Sequence, residues 1–377
     1  MLNLSKRRLG YQPALDGVRG IAVIAVIGYH LGYFIGGSAG VTLFFTLSGF
    51  LITSLLLEEF AQRDAISLRN FYIRRGLRLL PALFALLAVD VLFILTFRTG
   101  WTQKADLASV AVTLLYSSNW VQGWQLLPLN QLAHTWSLSV EEQFYLLWPL
   151  LVVLLCRLRL GTLRMAIVIA IAAACSAIAR FALMYSGASA MRLYNGTDTR
   201  AEALLLGAVA AVAFGAGLLR TPTGSRRSIQ WAGTLAFVML VLYMFAGVGA
   251  VPRSTSLAYV GSHTVIALLA TILIFSLTSG NGVAGRLENL LTWRPLRFVG
   301  QISYGLYLWH VLVTAMLDEA GIGNASWSYA LWTVTITLAI SLLSYFIIEK
   351  PCLRLKHAFA SGDEKAFPPI LVSAATT

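Results

Sequence analysis

Val41-Thr42-Leu43-Phe44-Phe45-Thr46-Leu47-Ser48-Gly49-Phe50-Leu51-Ile52-Thr53-Ser54-Leu55-Leu56-Leu57 contains no charged residue. A helix built from it is apolar on every side, which suits a bilayer or the centre of a large core. Runs of the same kind cover 21–34, 79–97, 146–156, 166–182, 203–219, 231–248, 265–277, 302–317 and 329–348. A spanning helix needs roughly 20 mostly apolar residues, which these runs reach alone or with their flanks. A water-soluble chain of 377 residues could not hide so many. Only 12% of the residues are charged and 58% are hydrophobic, whereas soluble domains carry about 25% charged residues. The sequence predicts an all-α integral membrane protein with about ten transmembrane helices.

Basic residues mark the cytoplasmic loops of membrane proteins. If the segment 98–137 dips into or lies on the extracytoplasmic surface, most of the 28 Lys and Arg fall on one side. Both termini are then cytoplasmic, in a multi-pass protein of the inner (plasma) membrane. The net charge of +12 has its explanation in orientation against anionic lipid, so the partner is the bilayer and not a nucleic acid. Lys6, Arg7 and Arg8 precede the first run, but that run is as long as the later ones and no A-x-A site follows, so it is not a cleavable signal. Cys156, Cys175 and Cys352 lie in or beside apolar runs and read as buried thiols, not disulfides. One transmembrane domain is expected over 1–356, with a polar, disordered tail at 357–377. No internal repeat is visible, which weakens a transporter built from inverted repeats.

Ionisable residues inside a membrane are functional candidates by default. His30 lies 11 residues beyond Arg19, about 16 Å along a helix, which places it near mid-membrane if Arg19 is at the inner face. A neutral imidazole can take a proton near pH 7 or attack a carbonyl; it can also simply pack against a neighbouring helix. Asp16 and Arg19 share a helical face, and Gly17 and Gly20 permit close approach of a backbone or a ligand. The run Phe71-Tyr72-Ile73-Arg74-Arg75-Gly76-Leu77-Arg78 serves as an ordinary inside-facing basic cluster or as an anion site in which Arg75 and Arg78 fork a phosphate.

His134-Thr135-Trp136-Ser137-Leu138-Ser139-Val140-Glu141-Glu142-Gln143-Phe144-Tyr145 is the richest polar stretch. Ser137 or Ser139 can cap a helix there, with Glu141 in its first turn. That leaves Glu142, His134 and Trp136 unexplained, and a carboxylate at this depth can orient a histidine or take a proton from a hydroxyl. Tyr194, Asp198, Arg200 and Glu202 form a second polar cluster, in which Asp198 pairs with Arg200 or both bind a sugar. Tyr304 and Tyr307 share a face, as interfacial or packing aromatics, and His310 follows in the outer half of the membrane. His263 reads as a surface histidine. Asp90 sits mid-span with no evident role. No H-x-x-x-H or C-x-x-C spacing supports a metal site.

Taken together these stretches resemble the membrane-bound acyltransferase 3 family. The matching pieces are Leu15-Asp16-Gly17-Val18-Arg19-Gly20-Ile21-Ala22, Tyr29-His30, Phe44-Phe45-Thr46-Leu47-Ser48-Gly49-Phe50-Leu51-Ile52, the Phe71–Pro81 arginine run, His134–Pro149, Thr197-Asp198-Thr199-Arg200, Ser303-Tyr304-Gly305-Leu306-Tyr307-Leu308-Trp309-His310 and Ile348-Glu349-Lys350-Pro351. They occur in order over roughly 11–354. The resemblance implies transfer of an acyl group, often acetyl, from acyl-CoA (acetyl-CoA) to a hydroxyl, usually of a glycan, with no metal. It implies His30 and Glu141 as the catalytic pair, and Arg75, Arg78 and Arg19, joined by Arg74, on the donor. His134, Trp136, Ser137, Glu142, Tyr194, Asp198, Arg200, Tyr304, Tyr307 and His310 are then expected on the acceptor, a cell-envelope or lipid-linked glycan or another glycosylated molecule. Two departures stand out. Many relatives have Gly-Val-Asp before the Phe-Phe pair, where this chain has Gly40-Val41-Thr42-Leu43. The usual Glu-Arg-Pro reads Glu349-Lys350-Pro351. No fused esterase-like domain is expected. Two other functions remain open on the residues: acylation of a secondary metabolite such as a macrolide, and a proton-coupled transporter using His30, Asp90 and Glu141. The sequence does not fix an oligomeric state.

Overall fold

The computed structural model describes residues 9–216, 226–247, 255–279, 283–322 and 327–355. The expected tail at 357–377 lies outside them. Among the described residues every regular element is helical: α1 Pro13–His30, α2 Ala39–Arg63, α3 Leu68–Phe97, α4 Gly100–Leu114, α5 Ser118–Gly123, α6 Trp136–Arg157, α7 Thr162–Tyr185, α8 Ala190–Asn195, α9 Thr197–Gly215, α10 Arg226–Ala246, α11 Leu257–Thr278, α12 Arg286–Leu291, α13 Arg294–Gln301, α14 Ser303–Glu319, α15 Trp327–Ser344 and α16 Lys350–Leu355. A 3₁₀ turn, Asn130–Thr135, leads into α6, and a π-turn, Tyr345–Glu349, joins α15 to α16.

Seven helical stretches are long and apolar enough to cross a membrane by length and composition. The other three expected spans are helices that fall short of those criteria. α1 carries Asp16, Arg19 and His30 within 18 residues. α9 opens with Asp198, Arg200 and Glu202, and α14 has 17 residues. Large apolar side chains such as Leu92, Leu95, Ile171, Ile178 and Leu331 point outward, the disposition expected when the surrounding solvent is lipid.

The chain divides into two compact units. The first comprises 9–66, 112–129 and 133–300. Its core gathers Val18, Leu43, Leu47, Phe50, Phe214, Leu240 and Leu273. Here the motif glycines act in helix packing. A Cβ on Gly49 of α2 would overlap the Leu204 carbonyl of α9, and one on Gly207 of α9 would overlap the Thr46 carbonyl of α2. Small residues at such crossings let two backbones meet where lipid supplies no hydrophobic drive between helices. Gly17 and Gly20 of α1 meet the backbone of Leu291 and Leu296 in the same way. Of the two uses expected for these glycines, the approach of another backbone is the one seen.

The second unit comprises 67–111, 130–132 and 301 onward. Tyr304 donates to the Leu79 carbonyl at 2.9 Å and Arg98 pairs with Glu319 at 2.6 Å. These two links hold α3 and α14 side by side and running in the same direction.

Several local expectations change. The first apolar run does not stay helical to residue 34. α1 stops at His30, where a turn through Gly32 with φ 81° reverses the chain. Ser137 and Ser139 do not cap α6. The helix grows directly out of the 3₁₀ turn and starts at Trp136, so both serines lie inside it and donate back to the His134 and Thr135 carbonyls. Glu141 therefore falls in the second turn, not the first. Of the cysteines only Cys156 is buried; Cys175 is exposed and Cys352 half-buried, and all three are free.

Candidate active site

Within the first unit, α2 and α6 lie parallel and share a polar seam. Three contacts follow one another along it. Phe45 meets Trp136 edge-on with ring centroids 6.0 Å apart. One turn on, Ser48 donates its hydroxyl to Glu141. Further along, Trp148 donates its indole N–H to Thr53 at 2.8 Å. Glu141 accepts a second hydrogen bond from Tyr145, one turn later on its own helix, at 2.8 Å. A half-buried carboxylate with two hydroxyl donors is oriented, and it is placed to take a proton from either hydroxyl.

Gln143 extends the seam. It donates to the Tyr116 carbonyl at 2.8 Å and to Asn119 at 3.0 Å, and accepts from Thr197 at the start of α9. This ties α6 to α5 and α9 through side chains that are all satisfied, as buried polar groups must be.

Arg200 turns inward from the first turn of α9. It is buried and donates from Nη2 to Thr42 at 2.8 Å. Its guanidinium carbon lies 5.8, 5.7 and 5.2 Å from the ring centroids of Phe45, Trp136 and Tyr194, within cation–π range. The expected Asp198–Arg200 pair is not formed. Residues two apart on a helix point to different sides, so Asp198 faces outward and is bound by both terminal nitrogens of Arg192, at 2.9 and 2.6 Å. Arg192 in turn lies over the Trp120 and Trp124 rings. Glu202 pairs with the fully buried Arg180 at 2.6 Å, and Arg180 also donates to the Thr199 carbonyl and to Thr264. His263, expected at the surface, is buried; its ring lies 5.0 Å from Tyr259 and 5.8 Å from Tyr194.

His30 ends α1 and is exposed. Its Nδ1 lies 3.0 Å from the Val26 carbonyl. A carbonyl can only accept, so this contact puts the proton on Nδ1 and leaves the lone pair of a neutral ring on Nε2. Asp16 is held by the Tyr11 hydroxyl at 2.9 Å, which itself accepts from Arg297. Arg19 is half-buried, and its Nε is buried without a hydrogen-bond partner. His134 is buried and Glu142 half-buried.

In the second unit, Arg74 and Arg75 are half-buried and Arg78 is exposed, all on the first turns of α3. Arg75 and Arg78 are three apart on one continuous helix and share a face. The charge of Arg78 acts on the buried Glu349, which accepts from Ser344 at 3.2 Å. Gly305, from the Ser-Tyr-Gly stretch, packs beside Glu349 and Ser341. Tyr307 is buried against His310, ring centroids 5.6 Å apart, and His310 donates Nδ1–H to the Tyr307 carbonyl at 2.7 Å. Among the described residues no group of three His, Cys, Asp or Glu could hold a metal.

The site residues thus divide between the two units. Glu141, Trp136, Tyr194 and Arg200 come together in the first unit, and Tyr304, Tyr307, His310 and the α3 arginines belong to the second. Ser48, Tyr145, Gln143, Arg180 and Arg192 were not foreseen as site residues. Arg180, a charge inside the apolar run 166–182, carries a signal of its own. Tyr145 meets Glu141 within α6, and the others gain their partners only where α2, α5, α6, α8 and α9 meet.

The helices thus carry an oriented carboxylate and a buried cation on one seam. A family model described as an acyltransferase domain matches residues 12–348, and the chain belongs to that family, acyltransferase 3. Among curated proteins it is 36% identical over 358 residues to "Putative peptidoglycan O-acetyltransferase YrhL" of Bacillus subtilis, covering 90% of this chain and 55% of that one. It is 34% identical to "Peptidoglycan O-acetyltransferase OatA" of Listeria monocytogenes, covering 90% and 56%. It is 32% identical to "Putative O-acetyltransferase SAS0844" of Staphylococcus aureus, covering 92% and 58%. The chain therefore spans little more than half the length of these relatives. No solved structure matches it.

Proposed function

We propose that the chain is a membrane O-acyltransferase that moves an acetyl group from cytoplasmic acetyl-CoA to a hydroxyl of a cell-envelope glycan, peptidoglycan being the first candidate. The observation that carries this reading is the Glu141 carboxylate, held by Ser48 and Tyr145 inside a chain of the acyltransferase 3 family. The three relatives named as O-acetyltransferases support the acetyl group and, for two of them, the acceptor.

In this reading ten helices span the inner membrane and both termini are cytoplasmic. Arg75 and Arg78, with Arg74, hold the anionic phosphates of CoA at the cytoplasmic face, since a guanidinium matches phosphate geometry and stays charged; Arg19 is assigned to the donor on its motif alone. The pantetheine arm carries the thioester inward towards His30. The Nε2 lone pair of His30 either removes the acceptor proton or attacks the carbonyl and carries the acetyl group briefly. Glu141 orients the reacting group or takes its proton. On the acceptor this reading assigns Trp136, Tyr194 and Arg200, together with His134, Ser137, Glu142 and Asp198, and, on the motif alone, Tyr304, Tyr307 and His310.

The test of the acceptor is mass spectrometry of envelope glycans from a strain lacking the gene and from the same strain complemented with it. The proposal expects O-acetyl groups lost on deletion and restored by the wild-type gene but not by a His30→Ala copy. An unchanged O-acetyl pattern in the deletion strain contradicts it.

A further inference from the structure

Arg200 is buried at 3% exposure, and neither its Nε nor its Nη1 has a hydrogen-bond partner. Its Nη2 donates to a neutral hydroxyl, that of Thr42. The two nearest acids in sequence on α9, each two residues away, are bound elsewhere: Glu202 to Arg180 and Asp198 to Arg192. Three aromatic rings wall the guanidinium in. They fix its position and exclude water, but they do not neutralise it. A buried cation with no carboxylate bonded to it is unfavourable for folding; Glu202 acts on Arg200 only across space, through a carboxylate already bonded to Arg180.

The seam says where a negative charge to meet it arises. Phe45 and Trp136, which hold Arg200, stand on the same two helices as Ser48 and Glu141. Ser48 lies three residues beyond Phe45, about 4.5 Å along the axis, and Glu141 five beyond Trp136, about 7.5 Å. A proton acceptor and N–H donors without a hydrogen-bond partner thus lie within about two turns of each other along the same seam.

We propose that Arg200 is the oxyanion donor of the acyl transfer: its unbonded N–H groups hold the carbonyl oxygen as that oxygen becomes negative. The inference rests on the acyltransferase reading and assigns a role within it. The attacking atom forms a bond to the carbonyl carbon, and the C=O π pair moves onto the oxygen facing Arg200. The pair then returns and the carbon–sulfur bond breaks, expelling the thiolate of CoA. The proton removed from the acceptor hydroxyl ends on that sulfur. An arginine left without a ground-state counter-ion meets its charge only in the transition state, which raises kcat rather than substrate affinity.

The test uses the purified chain with acetyl-CoA and chitotetraose as probes, and compares Arg200→Met with Arg200→Lys. Arg200→Met should lower kcat about 10²–10³-fold and leave the calorimetric affinity for acetyl-CoA unchanged. Its thermal midpoint should not fall, because an uncompensated buried charge is replaced by an apolar side chain. Arg200→Lys, which keeps the charge with a different donor geometry, should recover part of the rate. A kcat in Arg200→Met within about threefold of wild type overturns the assignment. So does a joint loss of acetyl-CoA affinity and thermal midpoint in both variants, which marks a structural residue. Absence of any acetyl transfer by the wild-type chain instead overturns the acyltransferase reading on which the inference stands.

Discussion

Ser48 of α2 donates its hydroxyl to the carboxylate of Glu141 on α6, across 93 residues of sequence. This contact brings two separate motif pieces to one point, the Phe-Phe-Thr-Leu-Ser-Gly-Phe run and the Val-Glu-Glu-Gln-Phe-Tyr run. It gives the first prediction. Glu141→Gln keeps the size of the side chain but removes the base, and acetyl transfer should fall about 10²–10⁴-fold. Ser48→Ala removes one of two donors and should cost less. Turnover numbers of the two purified variants check the ranking.

His30→Ala should abolish acetyl transfer, a fall of at least about 10²-fold for a general base, while the protein still inserts. His30 is exposed at the end of α1, so its loss leaves no cavity in the core. The check pairs an activity assay with a thermal melt in detergent. Near-normal turnover would remove His30 from the mechanism.

Arg75→Ala with Arg78→Ala should raise the acetyl-CoA concentration needed for half-maximal rate and leave kcat nearly unchanged, because the CoA phosphates take no part in the chemistry. Loss of uniform binding has that kinetic signature. Calorimetry with acetyl-CoA reads the same change directly, and an unchanged affinity would count against the donor site.

Glu202→Gln strips the buried Arg180 of its carboxylate at 2.6 Å. Removing one partner of a buried ion pair costs about 3–5 kcal/mol. A clear drop in the thermal midpoint is expected, far larger than that from Asp198→Asn, whose carboxylate is 41% exposed.

Gly49→Leu should prevent α2 and α9 from packing as they do. A side chain at Gly49 meets the Leu204 backbone, which cannot swing aside as a side chain tip can. Overpacking of this kind costs about 1–3 kcal/mol or more. The measurement is detergent-resistant folded yield together with the midpoint of thermal unfolding.

The bundle was legible because its signal is composition: runs such as 41–57 are apolar on all sides and leave few alternatives. The glycines at 17 and 20 also announce close approach, of a backbone or a ligand, whereas the close approach at Gly49 is seen only in the structure. Helix ends were harder. Nothing in the sequence marks His30 as a terminus, since Leu31 to Phe34 continue the apolar run and only Gly32 hints at the turn. The pairing of charges was the least legible. Asp198, Arg200 and Glu202 stand together in sequence yet face Arg192, Thr42 and Arg180, because alternate positions on a helix face different neighbours. Ser48 stands within a motif piece, but its bond to Glu141 depends on how α2 and α6 cross, which no local stretch of sequence encodes.

The most direct test of the central claim is to incubate the purified chain with acetyl-CoA labelled in the acetyl group, with a glycan acceptor present, and to follow CoA thiol and label together. The account predicts that thiol is released as label appears in ester linkage on the acceptor, and that both stop in His30→Ala. A folded wild-type chain that binds acetyl-CoA poorly and releases no thiol, or a His30→Ala chain that turns over like wild type, would contradict it.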